Sequence, residues 1–198
     1  MSDCFITRRG FNKTKSNGNI LTLFKDGETK GGLTGFKYLN TPYDCGLTIY
    51  STGDSNILIG LKINATGCKI LYKSYSLASD KPDSFIISTN EKIDLTNYNY
   101  IMFNFLSGTN FSSSFNLNNY GGGYFRVDEP EILPVNNTAY DWDGQGWDTV
   151  FTQNLVTNIF TKDISNIKGQ HHLCFGLCHG QYNGGYTSYF AFNNLLLI

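Results

Sequence analysis

Along most of this chain, apolar and polar residues alternate in short runs. A period of two puts the apolar side chains on one face of an extended strand. The runs cover residues 20–24, 36–39, 47–50, 57–63, 69–75, 85–88, 100–106 and 124–127. Turn-forming stretches separate them, among them Asp26-Gly27, Pro42-Tyr43-Asp44, Thr52-Gly53-Asp54 and the segment from Asp80 to Pro82. Many short strands at such spacing predict an all-β sandwich or barrel. Val150, Phe151, Leu155, Ile159 and Phe160 nearly fit a helical spacing, but Thr149, Thr152, Thr157 and Thr161 favour a strand there. The apolar C-terminus, Tyr189 to Phe192 and Leu195 to Ile198, predicts a buried central strand.

Two stretches echo each other. Asp94-Leu95-Thr96-Asn97-Tyr98 leads into the apolar run from Ile101 to Leu106, and Asp163-Ile164-Ser165-Asn166-Ile167 leads into Leu173 to Leu177. Asp, Ser, Thr and Asn side chains bond their own backbone and set up turns. Both stretches therefore predict a side-chain-locked turn at the start of a strand. The segments 108–123 and 130–147 predict long loops, the first rich in Ser, Asn and Gly. Loops of that length in a small domain are often functional.

Composition sharpens this picture. Charged residues make up 16% of the 198, against roughly 25% in an average domain. Aromatics make up 15%, which suits strands and does not suit disorder. The net charge of −1 offers no global field for nucleic acid. Residues 127–161 contain no Lys or Arg but hold Asp128, Glu129, Glu131, Asp141, Asp143 and Asp148, while Arg8, Arg9, Lys13 and Lys15 make the N-terminus basic. Five Cys without a repeated spacing do not form a disulfide framework, which favours synthesis in a reducing cytoplasm. Residues 1–10 lack the apolar core of a signal peptide, and no run reaches the ~18 apolar residues of a membrane span. Residues 1–18 read as an arm and 19–198 as the sandwich.

The order of Leu23-Phe24-Lys25-Asp26-Gly27, Gly31-Gly32, Lys92-Ile93-Asp94-Leu95-Thr96-Asn97-Tyr98, Asp163-Ile164-Ser165-Asn166-Ile167 and a final apolar strand resembles galactose-binding-like jelly-roll modules. Such modules are attached to tail proteins of phages and prophages of Gram-positive bacteria. Phe5-Ile6-Thr7-Arg8-Arg9-Gly10 looks like the start of such proteins. One departure is Leu33, where the family typically has Trp after the Gly-Gly pair. The resemblance implies an all-β, antiparallel jelly-roll sandwich and a non-enzymatic tail accessory protein. Such a protein is made in the bacterial cytoplasm and carried on the particle. Its partners would be a bacterial surface glycan, other tail proteins and copies of itself, with no nucleic acid. The arm, through Phe5, Ile6, Arg8 and Arg9, would dock onto a tail protein.

Candidate chemistry concentrates in Tyr140-Asp141-Trp142-Asp143-Gly144-Gln145-Gly146-Trp147-Asp148, which holds both tryptophans. Exposed aromatic faces stack on sugar rings while carboxylates and amides bond hydroxyls. Tyr140, Asp141, Trp142, Asp143 and Trp147 are thus the expected carbohydrate contacts, unless the tryptophans fold back to cap the sandwich. Asp141, Asp143, Gln145 and Asp148 supply oxygens of the kind that surround Ca²⁺, with Gly144 at the turn. The crowded His171, His172, Cys174, Cys178 and His179 do not form a zinc site on a strand. Cys174 and Cys178 would lie about 13 Å apart at ~3.3 Å per residue, far beyond a shared ion or a disulfide. Glycan hydrolysis would need two carboxylates about 5–9.5 Å apart, drawn from Asp128, Glu129, Glu131, Asp141 and Asp143. No nucleophile elbow, phosphate loop or metalloprotease motif marks a reaction. Two further functions stay open: a structural tail subunit without glycan affinity and, less favoured, a cell-wall glycan hydrolase.

Overall fold

The structure, a computed structural model, describes residues 19–40, 50–51, 57–63, 69–75, 83–107, 122–131, 142, 145–152, 159–179 and 187–198. The expected arm with Phe5, Ile6, Arg8 and Arg9, most of the 108–123 loop, and Tyr140, Asp141 and Asp143 lie outside these residues.

The alternating runs form strands where the described residues cover them; residues 47–49 of the expected run 47–50 lie outside. In chain order they are β1 (Leu21–Lys25), β2 (Glu28–Thr29), β3 (Phe36–Asn40), β4 (Tyr50–Ser51), β5 (Ile57–Ile63), β6 (Lys69–Tyr75), β7 (Asp83–Thr89) and β8 (Ile93–Asp94). There follow β9 (Tyr100–Ser107), β10 (Gly122–Val127), β11 (Asp148–Thr152), β12 (Ile159–Asp163), β13 (Gln170–His171), β14 (Leu173–His179) and β15 (Thr187–Leu197). The Thr-rich stretch near residue 150 is strand at both ends, β11 and β12, as its β-branched residues dictate. Asp26 and Gly27 both take positive φ, 51° and 88°, the pairing that a two-residue hairpin between twisted strands requires.

All pairing is antiparallel and builds two principal sheets. The larger runs β12-β9-β15-β6-β5-β4, with β1 and β2 added beside β15, and the smaller runs β11-β10-β14-β7-β3. The chain passes repeatedly from one sheet to the other: β1–β2, β4–β5, β5–β6 and β10–β11 pair as sequence neighbours, and the other described pairings join strands distant in sequence. This is a jelly-roll-type β-sandwich. The C-terminal strand is central, as its composition predicts: Phe190 to Phe192 pair with both β6 and β9. At Asn194, with φ 52°, a bulge turns β15 so that Leu195 to Leu197 pair with β1 in place of β6, while Leu196 and Leu197 keep their pairing with β9.

The core is a seam of phenylalanines. Phe103 of β9 lies against Phe125 and Phe175 of the smaller sheet and against Phe190 and Phe192 of its own. Phe175 and Phe192 stack across the sheets at 4.1 Å and 4°. Among the described residues, no helix is long and apolar enough to cross a membrane.

Candidate functional site

The two echoed turns form as predicted. The Asp94 carboxylate accepts the Thr96 amide at 2.9 Å, and the Asp163 carboxylate accepts the Ser165 amide at 2.8 Å. In each, the residue after the Asp plugs the core: Leu95 and Ile164 are buried. Hydrogen bonds from the Thr96 and Ser165 side chains, then their amides, hold the exposed Asp94 and Asp163 carboxyls below the usual range.

The first turn builds more than a strand start. β8 pairs with β13 as a ribbon of two residues a side, Asp94 opposite Gln170 and Ile93 opposite His171. The Leu95 amide donates to the Gly169 carbonyl at 2.9 Å, the Gly169 amide to the Thr96 hydroxyl at 3.0 Å, and the Lys168 ammonium to the Thr96 carbonyl at 2.9 Å. Between this ribbon and the turn at Gly31-Gly32 runs an open groove of about 320 Å³. Leu21, Ile93 and Tyr98 give it apolar and aromatic surface, and Lys92, Asp94, Asn97 and Gln170 give it polar groups. Tyr98 is half-buried against the core, which fixes its ring, while Asn97 and Gln170 are exposed. Gly31 and Gly32 line the wall, whereas Leu33, at the position where the resembled family has Trp, points into the core.

The tryptophans are elsewhere and turned inward. On the smaller sheet the outward row is Tyr124 of β10, Gly176 of β14 and Ile86 of β7, in register. Trp142 stacks on Tyr124 at 4.5 Å and 18°, and Trp147 meets Trp142 edge-on at 4.7 Å. With Ile86, Cys174 and Leu39 they form a second apolar cluster on the outer face. Trp142 is 0% exposed and Trp147 7%. Both rings therefore cap the sandwich, the alternative that the sequence left open, and neither offers a face to solvent. Exposure of a loop aromatic is decided by what it lands on, and here bare Gly176 provides the slot.

Of the expected oxygen donors, Gln145 and Asp148 are among the described residues. The Asp148 carboxylate pairs with Lys162 at 2.5 Å, so it is already neutralised. The Gln145 main-chain carbonyl accepts a bond from Arg126, and its side-chain Oε1 is buried. Among the described residues, no three His, Cys, Asp or Glu side chains converge as a metal site.

The acidic and His/Cys residues near the end of β10 interlock instead. Lys37 pairs with Glu129 at 2.7 Å, and the Ser88 hydroxyl donates to the same oxygen at 2.9 Å. Burial pushes the Glu129 carboxyl up, but these two bonds outweigh it and hold the group below its usual range. Hydrogen bonds from Thr34 do the same for Glu91. A general acid needs the opposite shift. Burial pushes the Cys174 thiol up to about 12, and it donates to the Asp128 carbonyl at 3.4 Å. A thiol so buried stays protonated and inert. Cys174→Ser is therefore expected to leave the number of thiols titrated by a disulfide reagent in the native protein unchanged. One fewer reacting thiol would contradict its burial.

No family profile matches the chain, and no curated protein matches it. Among solved structures, the chain is similar to a low-affinity xylan-binding module, CBM86, from the xylanolytic gut symbiont Roseburia intestinalis. The TM-score is 0.37 and the identity 7%, over 91% of this chain and 93% of that one. A likeness so distant identifies no residue and no ligand.

Proposed function

We propose that this chain is a non-enzymatic recognition module that binds a bacterial surface carbohydrate in the groove beside the β8–β13 ribbon. The observation that carries the reading is the groove's make-up. A ring held by the core, Tyr98, stands beside amide, carboxylate and ammonium groups on Asn97, Gln170, Asp94 and Lys92. Apolar surface for the face of a sugar ring, with a few placed polar groups for its hydroxyls, is the usual division of labour in such sites. The groove is open, which suits a chain of sugars more than an enclosed small molecule. The place of the module on a phage or prophage tail particle rests on the sequence resemblance alone. So do its contacts with other tail proteins and its assembly with copies of itself.

The test is a panel of bacterial cell-wall polysaccharides offered to the wild type and to Asn97→Ala/Gln170→Ala. Both side chains are exposed, so the double variant should fold. Losing two hydrogen bonds of about 1 kcal/mol each weakens binding by roughly tenfold or more. Unchanged binding by the variant would remove the groove from the site. No binding by the wild type would remove the glycan reading.

A further inference from the structure

We infer that His171 is the positioning residue of this groove: an imidazolium bonded at both nitrogens, it clamps the β8–β13 ribbon to the smaller sheet. The consequence for binding rests on the groove being the site, but the clamp itself does not.

The geometry is that of a cation. His171 Nδ1 lies 2.8 Å from Asp128 Oδ2, and Nε2 lies 2.9 Å from the Lys168 carbonyl. Both partners are acceptors, so both ring nitrogens must donate. A neutral imidazole has one N–H, and its other nitrogen would turn a lone pair toward an oxygen. Only the protonated ring satisfies both contacts at once.

What the clamp holds, and what it is held to, are both defined. Asp128 ends β10 at φ 68°. Its amide donates to the His172 carbonyl at 2.8 Å, and its own carbonyl accepts from Arg126 Nε at 3.2 Å. It is thereby fixed to the smaller sheet. On the other side, the ribbon has only two residues in each strand, and Asp94, Ile93 and Gln170 of that ribbon line the groove. So short a ribbon depends on tertiary bonds for its order.

The charges around the ring set the direction. Asp128 faces it from β10, Lys92 approaches from the segment ahead of β8, and His172 follows it in sequence. The Lys168 ammonium is turned onto the Thr96 carbonyl. Burial and Lys92 disfavour the proton. The Lys168 carbonyl and the Asp128 carboxylate outweigh them, and the ring titrates above its ordinary 6.5. A pKa raised on folding means that the clamp is fully present below pH 6.5 and is lost as pH rises through the folded value. Binding in the groove weakens over the same interval.

The test is hydrogen exchange of the Leu95 amide in the full chain, corrected for the intrinsic pH dependence of exchange. The imidazole of His171 is titrated by NMR alongside. From about pH 5.5 to about pH 8.5, Leu95 protection should fall on the order of tenfold with the same midpoint as the ring. Asp128→Asn should move both midpoints down together, and His171→Gln should flatten the profile. A wild-type profile that is flat, or a step that survives in His171→Gln, would overturn the clamp, even in protein that binds glycan. The expected profile in protein that binds no glycan would uphold the clamp and remove only its consequence for binding.

Discussion

Gly176→Val expels Trp142 from the outer face of the smaller sheet. A Cβ at position 176 would sit 2.4 Å from Trp142 Cζ3, 2.6 Å from Cη2 and 3.4 Å from Trp147 Cζ3. Atoms do not approach so closely, so ring or strand must move. β14 lies between β10 and β7 and cannot shift without breaking two ladders. The ring is the part that gives way. Losing a buried indole costs about 3–5 kcal/mol, or a melting temperature lower by about 6–20 °C in a protein of this size. The two tryptophans of the chain both sit in this cluster, so fluorescence reports on it alone, and its emission should move to the red. In a Trp142→Ala background the two closest clashes are gone and the nearest remaining contact of the added valine Cβ is Trp147 Cζ3, at 3.4 Å. The double variant should then be much less destabilised than the sum of the singles, the signature of a direct contact. Emission and melting unchanged by Gly176→Val would mean that the rings do not pack here.

Phe103→Ala is expected to be the most costly change in the core. Its ring meets Phe125 and Phe175 of the opposite sheet, Phe190 and Phe192 of its own sheet, and Phe160 of β12, stacked at 4.9 Å. It is wholly buried. The vacated volume lies between two sheets whose other rings are locked against each other, so collapse into it is restricted. The expected loss is about 3–5 kcal/mol, seen as a lower urea midpoint with an unchanged slope. A loss below ~1 kcal/mol would mean that the seam relaxes freely and does not pack as described.

Much of this fold was legible in the residues because strand signals are local. Residues 57–63 and 69–75 alternate and are strands over those same spans. Asp94 and Asp163 carry their turns with them, since the partner amide is two residues away. The apolar end of the chain could only be a strand paired on both sides. What escaped the sequence is set by distant partners. The groove draws Leu21, Gly31, Gly32, Lys92 to Asp94, Asn97, Tyr98 and Gln170 together from stretches far apart in the chain. β8 and β13 are two residues long and carry no period at all. Trp142 and Trp147 read either as sugar contacts or as a cap on the sandwich, and their polar neighbours do not choose between the two. Their burial depends on Gly176 and Tyr124, which nothing in the loop reveals. A signal for that burial did exist: the outward positions of β10, β14 and β7 hold Tyr124, Cys174 and Ile86, too apolar a face to be left to water.

The acidic residues divide by their partners. Asp128, Glu129 and Asp148 answer His171, Lys37 and Lys162, each from another strand or the start of one. They tie the sandwich together, while Asp94, whose Oδ1 accepts the Thr96 amide, lines the groove.

The most direct measurement is a two-dimensional amide and indole NMR titration of the full chain with fragments of a cell-wall polysaccharide that it retains. Shifts centred on Lys92, Asn97, Tyr98 and Gln170, with both indole Nε1–H signals unmoved, are the predicted result. A response centred on the two indole signals, with the groove silent, would contradict the assignment and return the site to the tryptophan loop.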